Sequence, residues 1–373
     1  MLANITMAFS SLATIRTVSN DTAIPAQFAT FAAAQTASAA GDTIYLQGTS
    51  FQYPALTVTK RLVIIGSGYM PATVQSTKVA SINLSRNATD DASGTVLMGL
   101  LVAGGVSPSG GSFIVPNNIS IMRNRIEGNV SLSPGSCGGT YPSGWVITNN
   151  IFLGRIDGGG SPGCGSATNT LIANNIFSRG NINGFNSVTV VIDHNLFIGL
   201  TGGATIAQLY SVVVTNNIFS RSTGFVFDPS ASIVFCSFNN NLSNLTTVAN
   251  PSFYTPGSDF VNFVASLSGS NTGNANIIGQ NPLFTSNANA DQYSALDNYR
   301  LQASSPGKNA GTDGTDLGIY GGSYPFPSGG APGSGYDTSA VLAVPQVTNV
   351  NIQNSTLAPG AQLKVTIQAT VNN

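Results

Sequence analysis

Charged side chains are scarce in this sequence of 373 residues, in which Asp, Glu, Lys and Arg together make up only 7%. About a quarter of the residues are charged in an ordinary soluble domain. The surface must therefore consist largely of Asn, Ser, Thr, Gly and backbone groups. The 13 basic and 14 acidic residues leave a formal net charge of -1, which excludes electrostatic attraction to nucleic acid or to an anionic membrane.

Long apolar runs are also missing, so the sequence predicts no transmembrane helix. Residues 1–13 are mildly apolar and end in Ser11-Leu12-Ala13, which looks like a small-residue cleavage site, but they lack a basic region. Two interpretations stay open for this segment. It is either a trimmed or atypical signal-peptide remnant or an ordinary β-strand of the fold.

The three cysteines are too few for a disulfide scaffold. Cys137 in Pro-Gly-Ser-Cys-Gly-Gly and Cys164 in Ser-Pro-Gly-Cys-Gly nevertheless occupy matching contexts, each following an Asn-containing segment by a similar distance. We predict that they lie in neighbouring loops and form a disulfide bond, which implies an oxidising compartment. Cys236, in an apolar run, is predicted to be a small buried core residue.

A repeated segment of the Asn-Asn-Ile-Phe type dominates the middle of the chain. With the second Asn as the marker, its copies fall at Asn150, Asn175, Asn195, Asn217 and Asn241. The steps between them are 25, 20, 22 and 24 residues, and the copy at Asn241 is the weaker one. One step upstream lies the related segment Met122-Arg123-Asn124-Arg125-Ile126. Steps of this length indicate a solenoid in which each repeat is one turn.

These repeats predict an all-β protein, a right-handed parallel β-helix. Leucine-rich repeats have similar periods, but the short β-branched and aromatic runs broken by Asn and Gly leave no room for a helical return. We expect each marker Asn to adopt the left-handed conformation at a sharp bend. Stacked markers are expected to form an asparagine ladder. The following Ile and Phe should point one inward and one outward, or into the stack of the next strand.

The remaining segments predict a domain order around this solenoid. It comprises an N-terminal strand or signal remnant at residues 1–20, a cap helix at 21–41, the β-helix with a closing segment at 42–326, a Pro/Gly/Ser linker at 327–340 and a two-strand appendage at 341–373. Within the second of these, residues 25–40 read as one helix that plugs the open end of the solenoid. The motif at residues 305–322 is expected to close the last turn.

The chain resembles secreted right-handed β-helix proteins of the Bacteroidetes type. The resemblance is carried by the opening stretch at residues 28–46, by the Asn-Asn-Ile-Phe repeats and by the closing motif from Ser-Pro-Gly-Lys-Asn-Ala-Gly to Gly-Ile-Tyr-Gly-Gly. It implies the fold and export from the cell. The family includes polysaccharide lyases, sugar-binding proteins, adhesins and surface proteins without a known role, so function does not transfer with the fold.

A polysaccharide lyase of this kind needs basic and acidic side chains that converge on one face. The lysines Lys60, Lys78, Lys308 and Lys364 all lie outside the central repeats. Arginines provide the alternative. Arg179 and Arg221 lie four residues after their markers, and Arg155 lies one position further along its own repeat, so they could contact an acidic glycan or could be solvated surface residues. Asp157, Asp193 and Asp228 could lie near them.

Three further features could take part in catalysis or metal binding. His194, the only histidine, stands in the first Asn column and is either a turn residue or a catalytic group. Asp313 and Asp316 could bind calcium on a glycine-rich turn, or could be ordinary turn residues. The scattered aspartates and the single Glu127 suggest no paired carboxylates for glycoside hydrolysis.

The sequence therefore favours an extracellular or cell-surface structural or adhesive protein that is not an enzyme and that assembles into filaments through its terminal strands. The alternative is a polysaccharide-binding or lyase-like, polysaccharide-cleaving β-helix. No cofactor and no metal are expected. The expected partners are other copies of the chain, in head-to-tail contact, and an extracellular glycan.

Overall fold

A computed structural model describes most of the chain. The described residues are 14–69, 75–109, 114–160, 164–199, 205–222, 226–227, 233–246, 271–288 and 292–327, with the backbone of 345–352 and 365–371. The segment at residues 1–13 and all but the first residue of the predicted linker at 327–340 lie outside them. The predicted fold class is confirmed, because three parallel sheets wind into a β-helix with a helix near its start and a strand pair near its C-terminus.

From Val63–Gly66 to Ile233–Val234, each turn of the β-helix contributes one strand to each sheet in succession. The first, 11-stranded sheet contains Ile15–Val18, Thr43–Leu46, Val63–Gly66, Val96–Met98, Ser120–Met122, Val146–Thr148, Leu171–Ala173, Val191–Asp193, Val213–Thr215, Ser237–Asn239 and Thr272–Asn274. The second, nine-stranded sheet contains Lys78–Val79, Leu101–Val102, Arg125–Ile126, Ile151–Phe152, Ile176–Ser178, Leu196–Ile198, Ile218–Ser220, Leu242–Ser243 and Ile277–Ile278. The third, eight-stranded sheet contains Leu56–Val58, Ile82–Leu84, Val106–Pro108, Val130–Ser131, Ile156–Asp157, Ile182–Asn186, Ile206–Tyr210 and Ile233–Val234.

Two antiparallel pairs follow the solenoid. Phe284–Ser286 pairs with Asn298–Leu301, and Pro345–Ile352 pairs with Val365–Val371. The second pair is the predicted C-terminal appendage. Each of its strands has its partner within the same chain.

The helix is shorter than the sequence predicted and spans only Phe31–Ala37. It begins after Thr30, whose side chain accepts a hydrogen bond from the backbone N–H of Ala33 at 3.2 Å, the usual role of an N-cap threonine. Phe28, predicted to be helical, instead bridges to Val18 at the start of the first sheet. Main-chain pairing to a sheet edge therefore prevails over the helical spacing in the first part of this segment.

The left-handed residue at each bend is the first of the Asn pair and not the marker, contrary to our prediction. The φ angles are +57° at Asn149, +54° at Asn174, +50° at His194, +57° at Asn216 and +52° at Asn240. The marker that follows each of them is not among the residues with positive φ. One left-handed residue suffices to turn the chain from the first sheet to the second, and asparagine tolerates that conformation better than most residues.

The marker asparagines point into the solenoid and form a continuous ladder there. Oδ1 of Asn195 accepts hydrogen bonds from the backbone N and from Nδ2 of Asn175, both at 3.0 Å. Nδ2 of Asn195 donates to the carbonyl of Ile172 at 2.8 Å and to Oδ1 of Asn217 at 3.0 Å. The same pattern links Asn124, Asn150, Asn175, Asn195, Asn217, Asn241 and Asn276. Buried amides are thus satisfied by the turns on either side.

The Ile and Phe after each marker point in opposite directions, as predicted. Phe152, Phe177, Phe197 and Phe219 stack inside the solenoid, with ring centroids 5.1, 4.6 and 4.8 Å apart. Such aromatic pairs contribute about 0.5–1.5 kcal/mol each beyond the area that they bury. The preceding aliphatic residues belong to a separate cluster on the outer side of the second sheet.

The ladder makes a specific prediction for Asn195→Ala. Truncation removes the acceptor for two donors of Asn175 and the donor to the carbonyl of Ile172, and a buried polar group left without a partner costs about 1–3 kcal/mol. We expect a loss of at least about 3 kcal/mol in the free energy of unfolding, measured by urea denaturation. Asn186→Ala, the same change at an exposed strand residue, is the control and should cost less than about 0.5 kcal/mol. Equal losses in the two variants would contradict a structural role for the ladder.

Candidate functional site

The segment after the solenoid, residues 305–327, lies along the outer face of the second sheet. We call it the strap. Its apolar residues Leu317, Ile319 and Phe326 form a buried cluster with the outward residues of the sheet, among them Ile176 and Ile218. The sequence predicted that this motif closes the last turn. It runs instead across several turns, because each turn presents one aliphatic side chain on this face.

The strap is fastened by the first residue of each Asn pair. These left-handed residues turn their side chains outward, and the distances between hydrogen-bonding atoms are 2.7–3.3 Å. The pairs are Asn149 with Tyr324, Asn174 with Ile319 and Gly321, His194 with Thr315, Asn216 with Thr312, and Asn240 with Ala310. Strap and turns therefore run in opposite order, and the strap ties five successive turns together.

His194 occupies the middle of this column and is almost completely buried, with 1% of its surface exposed. Its Nδ1 lies 2.8 Å from Oδ1 of Asp193, while its Nε2 lies 3.3 Å from Oγ1 of Thr315 and 3.8 Å from Oδ1 of Asp313. The ring packs on the strap backbone, since a Cβ at Gly322, where φ is +72°, would lie 2.8 Å from Nδ1. A ring enclosed in this way holds the strap and is shielded from a substrate.

Asp313 and Asp316 are both used in hydrogen bonds of the strap. Asp316 pairs with Nζ of Lys308 at 2.7 Å and accepts from the backbone of Asn309. Burial acts to raise the pKa of Asp313, but two hydrogen bonds from Thr315 and the nearby His194 outweigh it and hold that pKa below 3.8. Its contribution to stability is therefore present at neutral pH and is lost as the pH falls through the lowered pKa. Across the described residues, no group of three or more His, Cys, Asp or Glu could hold a metal ion.

The three arginines proposed for glycan binding all lie at turns between the second and third sheets, but in different environments. Arg155 pairs with Asp157 at 3.0 Å. Arg179 is exposed, with φ at +73°. Arg221 is buried, and its Nη1 donates to Oγ1 of Thr205 at 2.6 Å. They do not form one basic surface.

Of the aspartates suggested as neighbours of these arginines, Asp157 is confirmed beside Arg155, and Asp193 lies elsewhere. Asp157 pairs with Arg155, whereas Asp193 contacts His194 and accepts a hydrogen bond from Nδ2 of Asn216 at 2.8 Å. Asp228 lies outside the described residues. Among the described residues, the arginine column therefore brings together one basic and one acidic side chain, Arg155 and Asp157, and these two are paired with each other.

Cys137 and Cys164 lie in loops of adjacent turns, between the third sheet and the next strand of the first. They are joined by a disulfide, with their Cα atoms 4.8 Å apart. Cys236 is free and fully buried in the core, and burial raises the pKa of its thiol to about 11. Its thiol is therefore unreactive in the folded protein.

Sequence reasoning missed one member of the ladder and the whole set of strap contacts. Asn276 extends the ladder beyond Asn241, with its Oδ1 3.0 Å from Nδ2 of Asn241. Its signal was the Asn-Ile-Ile run at residues 276–278, hidden by a step of 35 residues. The strap contacts left no signal of their own, because the first Asn of each pair is the same residue whether or not a strap covers it.

Comparison with known proteins does not assign this chain to a family. No protein-family model matches this chain, and no match was found among the curated proteins.

The strap contact predicts that two substitutions at His194 differ in their effect on stability. His194→Asn introduces the residue that the neighbouring turns use, keeps the left-handed bend and should change the free energy of unfolding by less than about 1 kcal/mol. His194→Ala places alanine in the left-handed region and removes the contacts to the strap, so we expect a loss of about 2–4 kcal/mol. Urea denaturation measures both. An alanine variant as stable as the asparagine variant would contradict the strap contact.

Proposed function

We propose that this chain is an extracellular structural or adhesive protein without enzymatic activity. The observation that carries the proposal is the way in which the turns are locked together. A buried asparagine ladder runs through the inside from Asn124 to Asn276, and the strap fastens five of the same turns from the outside. Continuous hydrogen bonding along the axis gives a stiff rod, which is what a scaffold or a spacer needs. The fold itself is compatible with structural, adhesive or polysaccharide-related roles.

Several observations favour a scaffold over a lyase. The one histidine is enclosed by the strap, the arginines lie in different environments, and Lys308 is paired with Asp316. Lys60 donates to the backbone carbonyl of Ser38 at 3.0 Å. A general base for proton abstraction must reach its substrate, whereas the histidine is buried and Lys308, Arg155 and Lys60 are each engaged by another group of the chain.

The extracellular location is part of the proposal. It is supported by the low charge of the chain and by the bond between Cys137 and Cys164. The resemblance to secreted β-helix proteins of the Bacteroidetes type stays a hypothesis. In the part of the chain that the structure describes, no helix has the length and apolar character needed to cross a membrane.

More specifically, the proposal is that copies of the chain associate through the two ends of the first sheet. Among the described residues, the outermost strands Ile15–Val18 and Thr272–Asn274 each have a neighbouring strand on one side only. Ile15 is 68% exposed at one of these edges. Assembly in which a terminal strand of one copy inserts into the sheet of the next copy has less support, because Ile15–Val18 and both C-terminal strands pair within the chain. Contact between the two edges of successive copies is head-to-tail and extends into a filament.

Light scattering and negative-stain microscopy test this assembly. We expect the mass of the wild-type particles to grow with protein concentration and rods to lengthen. Ile15→Lys places a charge on the sheet edge and should abolish growth. Val188→Lys adds the same charge at a residue with similar exposure, 70%, away from that edge, and should leave growth unchanged. A wild-type protein that stays monomeric at high concentration, or two variants that behave alike, would refute the assembly proposal.

The absence of lyase activity is tested separately with pectate, alginate and other uronate polymers. Cleavage by a lyase creates an unsaturated sugar that absorbs in the ultraviolet, and we expect the absorbance to stay flat. A rise in absorbance that Arg179→Ala removes would overturn the non-enzymatic proposal. Arg155 and Arg179 are both exposed, whereas Arg221 is buried. Arg179 is the informative position, because Arg155 is already paired with Asp157.

A further inference from the structure

The three sheets of the β-helix differ in what their outer faces present. On the second sheet the outward residues beneath the strap are aliphatic, and the strap buries them, as it does Ile176 and Ile218. On the third sheet the outward residues are polar over six successive turns, from Thr57 and Asn83 to Asn183. The first sheet also has an aliphatic outer face, but the described residues provide no strap over it.

The aliphatic residues of the first sheet form one column over seven neighbouring strands. Each is the first residue of its strand, and Ser120 is the one polar residue in the series. We call the other six residues the apolar column: Val63, Val96, Val146, Leu171, Val191 and Val213.

The apolar column is left partly exposed. In the described part of the chain, none of its members belongs to either cluster of packed apolar residues. The corresponding residues of the second sheet, such as Ile176 and Leu196, keep at most 1% of their surface exposed beneath the strap. Among the outward residues of these seven strands, Asp193 alone is charged, and it is engaged by His194 and Asn216. A continuous, uncharged apolar surface of this kind marks a site of interaction with another protein.

An aromatic pair borders the column near its C-terminal end. Tyr210 and Phe235 lie at the corner between the third and first sheets, where Tyr210 precedes Val213 by three residues. Their side chains are 44% and 55% exposed, and the rings meet edge to face with centroids 5.1 Å apart. Exposed aromatic residues beside an apolar surface are the usual anchors of a protein contact.

Arg61 occupies the same corner at the other end of the column, two residues before Val63, and is exposed. Its side chain lies against the turns on either side. A Cβ at Gly94 would lie 2.9 Å from its Cδ, and a Cβ at Gly41 would lie 3.2 Å from its Nη2. A guanidinium group is attracted to the face of an aromatic ring, so the two ends of the column are complementary to each other.

We propose that the apolar column is the contact surface between two copies of this chain, which pack face to face with their solenoid axes antiparallel. A two-fold axis along the strand direction sets column against column, and both columns have the same strand spacing of about 4.8 Å. The middle one of the seven turns contains Val146, which therefore lies on the axis. Val63 of one copy then faces Val213 of the other, and Arg61 of each copy meets Tyr210 of the other.

The opposite orientation fits the residues less well. With parallel solenoid axes, each column would face the last outward residues of the partner's strands. These include Thr148 and Ala173, which are buried, and the charged Asp193. The aromatic pair and Arg61 would also lie at different ends of the contact.

The size of the surface indicates a weak dimer. Seven strands spaced by about 4.8 Å, with three residues of about 3.3 Å each, outline about 340 Å² on each copy. Together with the exposed parts of the two rings, the two copies bury about 1,000 Å², the lower limit for a specific contact. We expect a Kd on the order of 10 μM. This contact is lateral, uses a different surface from head-to-tail assembly and does not rest on it.

The first test measures the mass of the full chain by sedimentation equilibrium. The Ile15→Lys variant is used, because it keeps the column and carries a charge at the end of the first sheet that opposes head-to-tail growth. Its mass should rise with concentration from one chain to two. A mass that stays at one chain at about 20 times the expected Kd would overturn the dimer, whatever the wild-type protein does.

Cysteines in the column test the orientation of the two copies. Val146→Cys places one thiol from each copy on the axis, so mild oxidation should give a disulfide-linked dimer. Val63→Cys is the matched control, which should stay unlinked by itself and should link to Val213→Cys when the two variants are mixed. Cys236 is buried and the other two cysteines are bonded to each other, so the chain without these substitutions should not cross-link.

Charge substitutions test the surface itself. Val146→Glu brings two like charges together on the axis and should weaken dimerisation at least tenfold. Asn183→Glu adds the same charge to the polar outer face of the third sheet and should leave dimerisation unchanged. Equal melting temperatures establish that the fold is intact. The proposal is also overturned if Val63→Cys links to itself as readily as Val146→Cys, or if the two glutamate variants dimerise alike.

Discussion

The buried asparagine ladder is the interaction on which the rest of this structure depends. At every turn the chain must bend inside the protein, and the bend leaves backbone N–H and C=O groups that no strand can satisfy. One carboxamide per turn satisfies them, as Asn195 does for Asn175 and Ile172. Because each carboxamide also bonds to the next, the turns from Asn124 to Asn276 are held in register, and the phenylalanine stack forms beside them.

The residue just before each ladder asparagine serves the opposite face. Its left-handed conformation turns the chain, so that its side chain points outward while that of its neighbour points inward. The outward side chains then hold the strap, with Asn174 and His194 as its central contacts. Two adjacent residues therefore join the inside of the β-helix to its outer cover. The two glycines Gly321 and Gly322 let the strap backbone approach the His194 ring closely.

Carboxamides take over the roles that charged groups play in most proteins. They align the core and fasten the strap. A carboxamide can donate and accept at once and carries no charge that must be compensated on burial. The use of uncharged carboxamides fits a surface with few ions, and the pair of Arg155 with Asp157 lies at the surface.

The repeat in the sequence determined the fold class, the turn lengths and the opposed directions of Ile and Phe. Each depends on local chemistry that recurs at Asn150, Asn175 and their equivalents. Helix length was overestimated, because pairing of Phe28 with the first sheet is a long-range contact that spacing does not show. The position of the left-handed bend was misplaced by one residue, since both members of an Asn pair tolerate that conformation.

The tertiary structure alone decided the contacts of the arginines and the strap, which lie outside the repeat. Arg179 and Arg221 are equivalent in sequence, yet Arg179 is exposed, whereas Arg221 is buried with its Nη1 bonded to Thr205. The strap crosses the turns and covers the outward residues of the second sheet, while the apolar column of the first sheet stays partly exposed. Such contacts join residues far apart in the chain, and their energy depends on packing that no local pattern encodes.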